Sequence, residues 1–207
     1  MDDEAFDTAM VTAAFALAAR EGWGAVSVAE AAREAELPLG RARARFPARH
    51  CLLLRFGEQA DRYALTGAPT EGPVRDRLFD LLMRRFDFLN RHREGVLAVL
   101  RDPMVAAALL PASLASMGWM LEAAGGSARG LRGALRAKGL LAVWLWTLRA
   151  WRADESEDLA HTMSELDKAL ARAGQVAEAI GDRDGASEPE PETPDAPPAT
   201  PPVPPPV

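Results

Sequence analysis

The chain has one cysteine, Cys51, in 207 residues. A lone thiol excludes an internal disulfide framework and fits a reducing compartment. It reads as a small, half-buried hydrophobe on a helix; redox sensing is the sharper alternative, because Arg49 and His50 precede it. Histidine is scarce as well. His50, His92 and His161 lie far apart, and none has a metal-ligand neighbour at helical spacing, so no metal site is expected. There is no G-x-S-x-G elbow, P-loop or dinucleotide fingerprint, and Gly125-Gly126 reads as a helix stop. The acids Asp154, Glu155, Glu157 and Asp158 sit before and within a first helical turn, where the helix dipole accounts for them. These absences predict a protein that is not an enzyme and carries no cofactor. Long apolar runs are missing too. The longest, Gly139 to Trp146, is far short of a bilayer span, and the start, MDDEAF, lacks the cationic region of a signal peptide. The expected location is cytoplasmic, without integral membrane association. Strand formers are few and Ala and Leu dominate, which predicts an all-α fold.

The net charge of −6 is unevenly spread. Residues 181–207 carry six acids and one arginine, leaving residues 1–180 nearly neutral. An acidic whole-chain balance therefore does not exclude nucleic acid as a partner. Within the neutral part, Arg41, Arg43, Arg45, Arg49 and Arg55 are concentrated in a stretch with no acid from Leu39 to Phe56.

That stretch belongs to a compact helical pattern. Ala5 to Glu21 repeats apolar residues at helical spacing (Phe6, Met10, Leu17) and stops at Gly22. Ser27 and Glu30 form a capping box that opens a second helix, Val28 to Ala35. Ala35-Glu36-Leu37-Pro38 is a tight turn, and Pro38 suits the first position of a third helix running to about Phe46. Two short helices so joined are the geometry that places a recognition helix in a DNA major groove. After Pro47 a longer helix runs from about Arg49 to Leu65. Arg41 and Arg45, four apart, share a face, whereas Arg43 points elsewhere. A solvated cationic face on a structural helix is the plainer reading of the arginines, and phosphate contact the sharper one.

Residues 5–60 resemble the N-terminal domain of TetR-type transcriptional regulators. The match lies in AAFALAAREGWGAVSV, AEAAREAELPLG and FPARHCLLLRF. Where that family usually has an opening Ser or Thr, a Leu-Tyr pair, a His and, after the Phe, a Lys, this chain has Pro38, Ala42-Arg43, Arg45 and Arg49. Phe46 is kept. The resemblance implies a homodimer that binds a palindromic double-stranded DNA operator and is released by a small apolar effector. Carried onto this chain, it assigns DNA contact to Arg41, Arg43, Arg45 and Arg49, close backbone approach to Pro38 and Gly40, and a cap beside phosphate to Ser27.

Beyond the linker TGAPTEGP, Val74 to about His92 is amphipathic, with Leu78, Leu81 or Leu82, Phe86 and Leu89 inward and Arg75, Arg77, Arg84 and Arg85 mostly outside. Shorter helices are expected at Glu94–Leu100, at Met104–Leu110 (ended by Pro111), and at Ala112–Ala124. Phe79, Met83, Phe86, Met104, Met117, Trp119, Met120 and Trp144 are candidates to line an effector pocket, and plain core is their alternative. Ser127 to Arg152 is the longest helix. Its arginines Arg129, Arg132 and Arg136 share a face, read as solvated, and its second half is apolar nearly all round. A last helix from an N-cap at Ser156 to Ile180 repeats apolar residues at spacings of three and four. Trp146, Leu159, Met163, Leu166, Leu170 and Ala173 are the candidate dimer interface.

A second resemblance covers Thr147 to Leu170. Thr147, Trp151, Asp154, Ser156, Asp158, Thr162 and Leu166-Asp167 are similar in order to the C-terminal signature of the TetR-like accessory proteins of ubiquinone biosynthesis. Those are lipid binders, and the resemblance implies a lipid-like ligand without sequence-specific DNA binding. The expected organisation is a helix-turn-helix domain over 1–65, a helical ligand-binding and dimerisation domain over 66–180, and a disordered acidic tail over 181–207, ten of whose residues are proline.

Overall fold

A computed structural model describes residues 1–179, so the Pro-rich tail expected over 181–207 and the end of the last helix at Ile180 lie outside the described residues. Ten α-helices follow one another: α1 (Asp3–Glu21), α2 (Val28–Glu34), α3 (Leu39–Arg45), α4 (His50–Leu65), α5 (Val74–Asn90), α6 (Arg93–Leu100), α7 (Pro103–Ala108), α8 (Leu110–Ala123), α9 (Gly130–Ala153) and α10 (Ala160–Ala179). A short 3₁₀ turn spans Trp23–Ala25, and among the described residues there is no strand.

Local chemistry decides the boundaries. α1 starts two residues earlier than its apolar pattern, because Asp2 caps it by accepting from the Ala5 amide at 2.8 Å. Ser27 caps α2 as expected, accepting from the Glu30 amide at 3.1 Å. Pro38 stands just outside α3 in extended conformation rather than within its first turn. Pro111 corrects the expectation differently. It lies in the first turn of α8, where its missing N–H costs nothing, and α7 has already ended at Ala108. The last helix begins at Ala160 rather than after Ser156, because Leu159 turns to a φ of 55°. The Ala160 amide is then taken by Ser156 Oγ and Asp158 Oδ1.

One continuous core runs through the molecule. In the head (α1 to α4) Phe6, Met10, Phe15, Trp23, Phe46 and Leu52 are buried, and in the body (α5 to α10) Leu81, Leu82, Phe86, Met117, Trp151 and Leu166. Each such side chain contributes on the order of 1.5–3 kcal/mol by leaving water. Head and body meet where α6 crosses α1. A Cβ on Gly95 would stand 2.4 Å from the Phe15 carbonyl oxygen, so the backbones approach in a way only glycine permits.

The segment Thr147 to Leu170 forms the joint between α9 and α10. Thr147 Oγ1 donates to the Val143 carbonyl at 2.9 Å, and Trp151 is fully buried. Arg93 lies 4.7 Å over the Trp151 ring and donates to the carbonyls of Trp151 and Asp154 at 3.0 and 2.6 Å. The Asp154 carboxylate accepts from the Thr162 amide and hydroxyl, both at 2.7 Å, and from Ser156. Burial pushes that carboxyl up, but the bonds from Ser156 and Thr162 outweigh it and hold it well below the usual carboxylate range. The residues of the second resemblance thus have a structural task here.

Candidate nucleic-acid interface and internal cleft

In the head, Ala31 and Ala32 of α2 and Ala42 of α3 are buried, which lets the two short helices cross closely against α1. Between them Glu36 adopts a φ of 54°, a left-handed conformation that costs a non-glycine residue about 1 kcal/mol. Along α3 the outward stripe is Leu39, Gly40, Arg43 and Ala44. Nothing lies within 4 Å of a Cβ built on Gly40, so the α3 backbone is open there.

Arg41 and Arg45 do share a face, but it turns toward α1. Arg41 donates to Asp3 at 2.6 Å and lies 4.3 Å over the Phe6 ring. Arg45 holds Asp7 with two bonds, 2.5 and 2.6 Å, and meets Asp3 at 2.7 Å. Charge-assisted pairing with these acids raises the Arg45 pKa further. Arg55 adds a second cation to Asp7 at 3.1 Å, Arg62 pairs with Glu4, Arg20 with Glu34 and Arg33 with Glu30. Residues 1–65 hold eight arginines and ten acids. Among the described residues only two of those arginines lack a carboxylate partner: Arg43, which donates to the Pro47 carbonyl, and Arg49, 3.4 Å from the Gly24 carbonyl. The acids at Asp3 and Asp7, spaced like Arg41 and Arg45, were the signal for this pairing.

In the body a cleft of about 390 Å³ opens between head and body. Its walls come from α1 (Phe15), α4 (Leu53, Phe56), α5 (Leu89), α6 (Val96, Leu100), α7 (Ala106), α8 (Leu110) and α9 (Trp144, Leu148). Among the described residues, three arginines, Arg85, Arg149 and Arg152, line it, and no acid does. Arg85 belongs to the inner stripe of α5, correcting its placement outside: it is 6% exposed, with its guanidinium 4.6 Å over the Trp144 ring. It meets Asp61 at 3.1 Å and donates to Ser116 Oγ, which in turn donates to Asp61 at 2.5 Å. Burial pushes the Asp61 carboxyl up and the Arg85 guanidinium down. Arg85 Nε, also buried, has no hydrogen-bond partner among the described residues.

Of the residues expected around an effector, only Trp144 lines this cleft. Phe86, Met117 and Met120 are fully buried core, with Phe86 stacked on Trp144 at 4.4 Å, and Phe79 and Met83 pack at the core's edge. Met104 and Trp119 are 79% and 65% exposed and stand outside this cleft. The expected dimer residues divide likewise. Leu159, Leu166 and Leu170 are buried within the chain, Ala173 packs partly against the core, and Trp146 and Met163 are exposed. Leu131, Leu135 and Leu145 of α9 and Val176 of α10 are exposed as well, Leu145 at the mouth of the cleft. His92, the N-cap residue of α6, is half-buried against Phe15, Phe56 and Phe88, where burial and then Arg91 lower its pKa. Among the described residues no cluster of His, Cys, Asp or Glu is arranged to hold a metal, and no helix is long and apolar enough to cross a membrane.

No family model and no curated protein matches the sequence. Solved structures do match the fold. A TetR transcriptional regulator from Nitrosomonas europaea ATCC 19718 aligns over 83% of this chain and 99% of its own, with 23% identity and a TM-score of 0.65. A TetR transcriptional regulator from Rhodococcus sp. RHA1 (19% identity, 83% and 97% covered, TM-score 0.58) and a TetR-family regulator from Streptomyces coelicolor (19%, 86% and 85%, 0.56) align similarly. The chain has the fold of TetR-type transcriptional regulators. At these identities the likeness defines architecture.

Proposed function

We propose that the protein is a ligand-responsive, homodimeric DNA-binding regulator. The observation that carries this reading is the α2–turn–α3 unit with its open outer stripe, a shape suited to a major groove. Arg43 and Arg49 are the phosphate contacts in this reading, since they are not committed to carboxylates. Leu39 and Gly40 offer apolar contact and close backbone approach, and Ser27 keeps the α2 terminus ordered beside the backbone. Arg41 and Arg45 position α3 on α1. The exposed α9–α10 face, centred on Trp146, Met163 and Leu135, forms the dimer contact. The cleft holds the effector, and because Phe15 and Phe56 are among its walls, an occupant bears directly on the head.

A gel shift on the DNA upstream of the protein's own gene tests this. Arg43→Ala and Arg49→Ala each weaken binding and reduce the salt slope by about 0.9. Binding indifferent to both substitutions overturns the assignment. The head's excess of acids favours a second reading, a lipid-binding accessory protein on the same fold. That reading predicts no shift even at low salt, with lipid recovered in an organic extract of the purified protein.

A further inference from the structure

We propose that the cleft takes an amphipathic organic anion: an aliphatic body with one carboxylate head. The inference rests on the ligand-responsive part of the proposed function and names the class of ligand. The lining pairs an apolar interior with three arginines and no acid, in a chain whose net charge is −6. Arg149 and Arg152, one on each side of a helical turn of α9, are exposed at the cleft, and neither has a carboxylate partner among the described residues. In the head, by contrast, most arginines have found an acid. Two unpaired cations beside an apolar space attract a negative head and leave its tail the cleft.

Arg85 supplies the independent observation. Its charge is balanced by Asp61, so it demands no second full charge. Its buried Nε–H nevertheless lacks an acceptor among the described residues, which is unfavourable for a donor out of water. A ligand oxygen drawn in beside the Arg85 side chain satisfies that donor, while Leu89, Val96 and Leu148 of the same lining provide apolar surface for the aliphatic chain. A cationic amphiphile is repelled by the same groups, and a neutral alcohol gains the apolar contact alone.

Isothermal titration of the full chain with dodecanoate, dodecanol and dodecyltrimethylammonium, each below its micellar concentration, tests this. Dodecanoate is expected to bind at least tenfold more tightly than dodecanol, and dodecyltrimethylammonium not to bind. Substituting both Arg149→Ala and Arg152→Ala, exposed positions whose loss leaves the core intact, lowers dodecanoate affinity tenfold or more and leaves dodecanol affinity unchanged. Arg132→Ala, on the same helix but outside the cleft, changes neither. Equal affinity for dodecanoate and dodecanol, a preference that survives the double substitution, or binding of none of the three overturns the proposal. The gel shift is read separately. Dodecanoate binding without a DNA shift retires the regulator and keeps the ligand class, and a shift without dodecanoate binding does the reverse.

Discussion

The head and the cleft use the same residue type in opposite ways. The head has eight arginines and looks cationic along α3, yet Asp3, Asp7 and their neighbours cancel most of that charge at 2.5–3.1 Å. The cleft has three arginines, and among the described residues only Arg85 has a carboxylate partner. Availability for a new partner therefore does not follow the number of charges. It follows which charges the fold has already satisfied. In the regulator proposed above, DNA would compete with α1 for Arg41 and Arg45, so its affinity would rest on fewer cations than composition implies.

Burial separates the two regions, and breaking a pair in each shows by how much. Arg85→Met strands Asp61 beside the core and is expected to cost about 3–5 kcal/mol, read as a lower urea midpoint. Adding Asp61→Asn restores much of that loss. If the single substitution costs no more than the double, the two side chains are not a coupled pair.

At the body's α9–α10 joint, Asp154→Asn is expected to cost about 2 kcal/mol, since four donors, the amide and hydroxyl of both Ser156 and Thr162, lose their charged acceptor. The sign with pH follows from the depressed carboxyl. Its stabilisation is fully present above the unfolded value of about 3.9 and disappears as the pH falls below it toward the folded value. Unfolding midpoints of wild type and Asp154→Asn therefore converge on acidification; a constant gap between pH 7 and pH 3 contradicts this.

A smaller change sits in the head's own turn. Glu36→Gly relieves the left-handed backbone and is expected to raise stability by about 1 kcal/mol, less the entropy glycine adds to the unfolded chain. A lower thermal midpoint contradicts it. The smallest effect on stability, and the most direct probe of the comparison, is Asp3→Asn. Asp3 is 67% exposed, so its loss leaves the unfolding midpoint unchanged while freeing Arg41. DNA binding at low salt is expected to tighten and its salt slope to steepen by up to about 0.9. Unchanged binding places Arg41 away from the DNA.

The all-α architecture, the N-cap at Ser27 and the α2–turn–α3 unit were legible because each rests on neighbours in sequence, whereas the Glu30 side chain, expected to complete a capping box, pairs with Arg33. The cleft was not, because seven helices contribute to it. Phe79, Met83, Met104 and Trp119 were grouped by residue type, and type does not say which side of a helix faces inward. Arg85 was misplaced for a related reason. Leu78, Leu81, Arg85 and Leu89 form one stripe, but charge outweighed spacing when the face was read. Likewise, Leu159, Leu166 and Leu170 have the period of a packed helix, and period alone does not distinguish α9 of the same chain from a second copy. The pairing of Arg41 and Arg45 with Asp3 and Asp7 spans about forty residues, beyond any local rule, although the matched spacing of four was visible.

The close pass of α6 over α1 at Gly95 has a mechanical consequence. Phe15 provides the carbonyl against which Gly95 rests and also part of the cleft wall. With backbone against backbone there is no side chain to absorb displacement, so α6 cannot tilt there without carrying α1 along. Whatever fills or empties the cleft therefore acts at a bearing surface without slack, where a shift of a few tenths of an ångström is passed on rather than damped.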